Sequence, residues 1–177
     1  MLHGELVDLR ARRAEDVAVL QEELHDDVPT RSRADSRAWR PISPDSEASP
    51  YAVRDPADDV AFFSVVDRTS EELAGEALLW GIDSHNRTAH LGMALRPNMR
   101  RRGMGIDVTR VLCRYAFATL GLHRVQLETL ADNEAMVRAA ERAGFRREGI
   151  LRQSAWVTGA FLDEVVYGLL VADWSES

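Results

Sequence analysis

The sequence predicts a single α/β domain of the α+β kind, a mostly antiparallel mixed sheet flanked by helices, and three observations predict it. Between residues 60 and 95, three runs of apolar alternation follow one another across short polar turns, the pattern of an antiparallel meander. After residue 103, two helical stripes alternate with a strand, and each stripe ends at a glycine. The chain then closes on two long alternating runs that turn at Thr158-Gly159, a terminal hairpin.

Taken in order, Glu5 to Leu9 alternates like a strand, and Ala14 to Leu24 carries Val17, Leu20 and Leu24 at helical spacing. From His25 to Pro56 the periodicity dissolves into Asp, Ser, Arg and Pro, which predicts an irregular segment (about 25–57) holding a short helix or two. Loops of this length usually carry function or move. The meander strands are Val60 to Val66, Leu73 to Ile82 and Ala89 to Leu95, with polar turns at Asp67-Glu72 and Asp83-Thr88. A helix with Val108, Val111, Leu112, Tyr115, Ala116 and Thr119 on one face follows, closed by Gly121. Val125 to Leu130 is the next strand. The second helix takes Asn133 as its N-cap, turns Met136, Ala139, Ala140 and Ala143 inward and stops at Gly144. Phe145 to Trp156 and Leu162 to Val171 form the hairpin. No repeat or internal linker divides residues 1–177, so one domain is expected.

Composition narrows the function. With 177 residues and 45% apolar content, the chain is long enough to bury a core. Its net charge of −7 disfavours nucleic acid as a partner, and no apolar run approaches a membrane span. The basic residues are all arginine, a trait of codon usage more than of chemistry. The single cysteine, Cys113, lies inside a helical stripe and allows neither an internal disulfide nor a metal cluster, so no metal and a reducing, cytoplasmic setting are expected.

The stretch Arg100-Arg101-Arg102-Gly103-Met104-Gly105 sits between the third meander strand and the first of the two later helices. Glycines there remove Cβ atoms that would hold a ligand off the backbone, so N–H groups of the first helical turn can meet an anion such as a phosphate. The arginines add charge and forked donors. A glycine turn followed by a solvated arginine run is the plainer alternative, and the motif alone does not decide between them.

The order meander, Arg-x-x-Gly-x-Gly, helix, strand, Asn, helix, Gly-Phe, hairpin resembles the GNAT superfamily of acyl-CoA-dependent N-acyltransferases, most closely the branch that acetylates ribosomal-protein amino termini. The resemblance runs from about Leu73 to Leu170. It rests on His90-Leu91-Gly92-Met93-Ala94-Leu95-Arg96-Pro97, the glycine turn, Tyr115-Ala116-Phe117, Asn133, Ala143-Gly144-Phe145, Glu148-Gly149-Ile150-Leu151-Arg152 and the closing Gly159 to Asp163 and Tyr167. It implies a sheet splayed at the acyl-CoA site, acetyl-CoA as cosubstrate and a small-molecule or peptide amine as acceptor. The pantetheine arm would pair with Met93, Ala94 and Leu95 like an added strand. Arg100, Arg101, Arg102, Gly103, Met104, Gly105, Ile106 and Asp107 would hold the pyrophosphate, and Asn133 would reach the arm while also capping its helix. A backbone N–H near Met93 would hold the oxyanion.

Acyl transfer to an amine needs the neutral nucleophile, while an alkylamine with pKa near ~10 is mostly protonated at neutral pH. His90 is the candidate base. It occupies the position where many superfamily members place a glutamate, and an imidazole near ~6.5 is poised for the task. Alternation sets it on one strand face with Gly92 and Ala94; the alternative is a half-exposed edge histidine. The positions where relatives offer a leaving-group acid hold Met136 and Ala140, which donate no proton. Either Tyr167 or Thr129 donates instead, or no acid is required because a thiol near ~8.5 departs readily as thiolate; the second is favoured. Trp39 in the irregular segment is expected to line the acceptor site or to pack, and Asp26 and Asp27 to attract a cationic amine or to lie solvated. Glu128 is expected to face solvent or an ion-pair partner. The terminal hairpin suggests a homodimer. A non-catalytic acyl-CoA sensor is the alternative function, and a triphosphate enzyme is disfavoured by the missing lysine and hydroxyl after the glycines.

Overall fold

The computed structural model describes residues 1–175. Its elements are β1 (Leu2–His3), β2 (Val7–Arg10), α1 (Ala14–Leu20) continued by a π turn over Gln21–His25, α2 (Val28–Ala34), β3 (Val60–Asp67), β4 (Leu73–Asp83) and β5 (Thr88–Leu95). There follow a 3-10 turn at Pro97–Met99, α3 (Met104–Arg114) continued by a π turn over Tyr115–Thr119, β6 (Arg124–Leu130), α4 (Glu134–Arg142), β7 (Arg146–Val157) and β8 (Ala160–Leu170). One sheet orders them β1-β2-β3-β4-β5-β6-β8-β7, antiparallel throughout except for the parallel pair β5–β6. The expected meander, the two helices and the hairpin are all present.

Strand parity divides the side chains between two faces. Val7, Leu9, Val65, Ala77, Leu79, Leu91, Val125, Leu127 and Leu169 turn toward α3, where Val108, Val111 and Leu112 complete the main core. On the other face a smaller cluster of Leu20, Leu24 and Tyr51 packs against Ala94 and Leu73, seating α1 and its π turn on the sheet. The helical stripe read from sequence differs at one point. Thr119 is exposed and Phe117 is buried, because the π turn at Tyr115–Thr119 adds a residue to that turn and rotates the face.

Buried carboxylates tie the first strands to the helices. The Asp16 carboxylate accepts from Arg10 Nη1 and Nη2 at 2.6 and 2.8 Å, from Ser64 Oγ at 2.8 Å and from the Arg13 N–H at 2.8 Å. Burial pushes this carboxyl up, but the Arg10, Arg13 and Ser64 donors outweigh it and hold it below its ordinary range. A depressed carboxyl stabilises the fold above its unfolded pKa, and that contribution vanishes as pH falls through the folded value. Asp16→Asn is therefore expected to destabilise the protein by about 1–3 kcal/mol at pH 7 and by much less near pH 2, measured by urea unfolding at both pH values.

Candidate active site

The parallel pairing of β5 with β6 covers Thr88↔Arg124, Ala89↔Val125 and His90↔Gln126 and stops there. Beyond this point β5 stays paired to β4 as far as Leu95, and β6 stays paired to β8 as far as Leu130, so the two strands diverge into a wedge with His90 at its vertex. The edge of β5 facing the wedge carries Leu91 to Leu95 with no strand beside it among the described residues. Met93 and Leu95 lean on the α3 core, and Ala94 leans on the Leu20 cluster. Gly75 of β4 lets the strands come close here, since a Cβ on it would lie 2.2 Å from the Ala94 carbonyl oxygen.

At the open end of the wedge the chain turns into α3. Buried Met99 anchors the turn, Arg101 and Gly103 take left-handed φ values of 63° and 81°, and Gly103 caps the helix. Among the described residues, the N–H groups of Arg101 to Gly105 donate to no protein acceptor; the first to be satisfied is Ile106, bonded to the Gly103 carbonyl at 3.1 Å. Those of Gly103 to Gly105 are the orphan donors of the α3 N-terminus. Arg100, Arg101 and Arg102 are exposed around them, with Arg100 Nε on the Leu95 carbonyl at 2.9 Å and Arg102 Nη1 3.8 Å from Asp67. The Met104 side chain is buried, so this residue presents only its N–H. A Cβ on Gly105 would sit 3.8 Å from Met93 Sδ, an ordinary contact, so packing does not demand glycine there. Its bareness leaves the first turn open to a ligand.

Asp107 departs from the expectation for this segment. Its carboxylate is buried and accepts from the backbone N–H groups of Glu5, Leu6 and Val7 at 3.1, 2.7 and 2.9 Å, locking the amino-terminal hairpin onto α3. A carboxylate so committed is turned to the backbone of residues 5–7 and not to the unengaged N–H groups of the turn. No local pattern signals a bond to residues a hundred positions away.

His90 shares its sheet face with Trp80, its register partner on β4, and with Gln126 and Glu128 on β6. The Trp80 ring stacks on the imidazole with centroids 4.1 Å apart and planes at 21°. Glu128 Oε1 lies 4.0 Å from His90 Nδ1. No local sequence pattern marks Trp80; the β4–β5 register places it beside His90.

Tyr167 lies on the opposite face, opposite Leu127 in the core, and its hydroxyl donates to Glu141 Oε1 of α4 at 3.0 Å. Burial, together with that carboxylate, raises the phenol above its ordinary pKa and makes it a poorer acid. Tyr167 thus faces the core on the side of the sheet away from His90. Thr129 accepts from Asn133 Nδ2 at 3.0 Å, while Asn133 Oδ1 caps α4 through the Met136 N–H at 3.3 Å. Burial pushes the Cys113 thiol up to about 12, which makes it an inert core residue.

The irregular segment is stitched to the π turn of α1. His25 Nε2 bonds the Arg40 carbonyl at 2.9 Å, Trp39 Nε1 donates to the His25 carbonyl at 2.9 Å, and Gln21 reaches the Ile42 carbonyl at 3.0 Å and Ser49 Oγ at 3.0 Å. Trp39 thus has a fixed place and remains 37% exposed. Asp26 accepts from Gln21 and Asp27 caps α2 through Thr30, so both carboxylates have local partners. Glu76, opposite Ala94 on β4, accepts from Arg12 Nη2 at 2.9 Å. Burial pushes the Glu76 carboxyl up against the pull of Arg12, and it raises the neighbouring Tyr51 phenol as well. This buried pair escapes sequence reading because its partners lie 64 residues apart.

Residues 6–146 match the family model described as an acetyltransferase (GNAT) domain. An uncharacterized N-acetyltransferase of Bacillus subtilis, YoaA, is 32% identical over 103 residues, 58% of each chain. The [ribosomal protein uS5]-alanine N-acetyltransferase of Escherichia coli is 22% identical over 115 residues, covering 64% of this chain and 59% of that protein. The chain thus spans under two thirds of the length of these two relatives. Among solved structures, the spermidine N-acetyltransferase of Vibrio cholerae in complex with CoA and spermine superposes with a TM-score of 0.84 over 95% of this chain and 97% of that one, at 22% identity, a likeness of fold. Because the family model covers most of the chain and the wedge, glycine turn and helix follow in order, the chain belongs to the GNAT acetyltransferase family.

Proposed function

We propose that this protein transfers an acetyl group from acetyl-CoA directly to a primary amine, either a protein amino terminus or a small-molecule amine. The observation that carries the proposal is the wedge after His90, whose unpaired β5 edge runs into a helix start with unengaged N–H groups. These features suit the cosubstrate. The edge at Met93, Ala94 and Leu95 offers backbone partners to the amides of the pantetheine arm. The N–H groups of Arg101 to Gly105 and the charges of Arg100, Arg101 and Arg102 suit a pyrophosphate, with Ile106 closing the turn. Asn133 keeps one amide N–H beyond its bond to Thr129 with which to reach the arm.

When bound, acetyl-CoA supplies the thioester and a thiolate leaving group. His90 at the vertex accepts the proton of the attacking amine, and a β5 amide near Met93 holds the oxyanion. No side-chain acid is assigned. Trp39 forms part of the acceptor wall. The uS5-alanine and spermidine enzymes among the relatives frame the acceptor classes to be tested. The exposed Trp156 and Phe161 on the β7–β8 hairpin, edge to face with centroids 4.8 Å apart, support a homodimer, to be tested by light scattering.

The test is release of free thiol from acetyl-CoA with a panel of polyamines, amino acids and peptide amino termini. His90→Gln is expected to lower kcat about 100-fold and to remove the acidic limb of the pH profile. An unchanged profile would retire His90 as the base. The acyl-CoA sensor is the second reading, favoured by Met136 and Ala140 at the acid positions and by the engagement of Tyr167 with Glu141. Binding without turnover on every amine would select it.

A further inference from the structure

His90 Nδ1 is buried and has no hydrogen-bond partner among the described residues. An orphaned ring nitrogen in a half-buried setting marks a contact still to be completed. The oxygen that faces it is Glu128 Oε1, 4.0 Å away across the β5–β6 vertex. We infer that Glu128 is the positioning residue for His90: its carboxylate takes the Nδ1–H and so leaves the lone pair on Nε2 to receive the amine proton.

Three features of β6 and β4 set this up. Gln126 Nε2 donates to Glu128 Oε1 at 2.8 Å, and Gln126 Oε1 in turn accepts from Arg124 Nη2 at 3.0 Å, so alternate residues of one strand face form a braced row. Arg124 is neutralised by Glu148 of β7 through contacts of 2.6 and 2.5 Å. That pairing leaves the Glu128 charge free, and among the described residues its ion-pair contact is His90. On the β4 side the stacked Trp80 ring, which is neutral, holds the imidazole plane. Closing the remaining gap takes about 1 Å of side-chain motion, and catalytic contacts in ligand-free enzymes are commonly long by such an amount.

As the amine nitrogen bonds to the acetyl carbon and the carbon–sulfur bond breaks, the amine proton passes to Nε2. The charge of the imidazolium is then countered by the Glu128 carboxylate. The inference rests on His90 being the base, and the experiment separates the two claims.

In the ¹⁵N-labelled full chain, ring-nitrogen shifts of neutral His90 are expected to report the Nδ1–H tautomer. Glu128→Met, which removes the acceptor, is expected to shift the population toward Nε2–H and to lower kcat about tenfold with KM for acetyl-CoA unchanged. Glu128→Gln keeps an acceptor without the charge, so it should keep the tautomer and still lose rate. In a His90→Gln background Glu128→Met should cost nothing further. An unaltered tautomer in Glu128→Met overturns the positioning role, whether or not the protein acetylates any amine. A shifted tautomer with unchanged turnover supports the contact and instead removes His90 as the base.

Discussion

Replacing Asp107 with alanine is expected to lower the unfolding free energy by about 2–4 kcal/mol, because three backbone donors lose a charged acceptor and the Val7 N–H is left buried without one. The N–H groups of Glu5 and Leu6 belong to exposed residues and can recover bonds to water, which caps the loss. For a chain of this size, each kcal/mol shifts Tm by about 2–4 °C, so a fall of roughly 10 °C is expected by calorimetry. CoA affinity of the folded variant should stay within about threefold of the parent, a change of ~0.7 kcal/mol. A large loss of affinity with normal stability would return the Asp107 side chain to the cradle.

The second large effect is the reverse: affinity lost and stability kept. Gly105→Val introduces a branched side chain in the first turn of α3, beside Met93 and over the unengaged N–H groups. Gly105 has no left-handed φ to protect and its neighbours leave room for a Cβ, so the helix should tolerate the change with a Tm close to the parent's. CoA affinity is expected to fall at least about 100-fold, equivalent to ~2.7 kcal/mol, by calorimetric titration. Gly103 suits this test less well, because its φ of 81° penalises any other residue and mixes strain with blockage.

What the sequence revealed and what it hid divide along a physical line. Strand alternation, helix stripes and glycine stops are local signals, and they located the meander, the wedge strand and both helices with their ends at Gly121 and Gly144. The π turn at Tyr115–Thr119 broke the helical period and exchanged Thr119 for Phe117, a rotation that a 3.6-residue pattern does not encode. The glycine turn was legible because bare backbone leaves a mark in composition. The engagements of Asp107, Tyr167, Glu76 and Arg12 were not, because each depends on a partner distant in sequence. His90 lies between these cases. Its strand and face followed from alternation, whereas its place at the vertex, under Trp80 and beside Glu128, follows from the end of β5–β6 pairing.

The most direct test of the whole account is titration of CoA into the ¹⁵N-labelled protein with backbone amides assigned. Saturable binding is predicted, with the largest shifts at Arg101 to Gly105 and at Met93 to Leu95 and little change along β7. No binding, or saturable shifts centred away from the wedge and the start of α3, would contradict it.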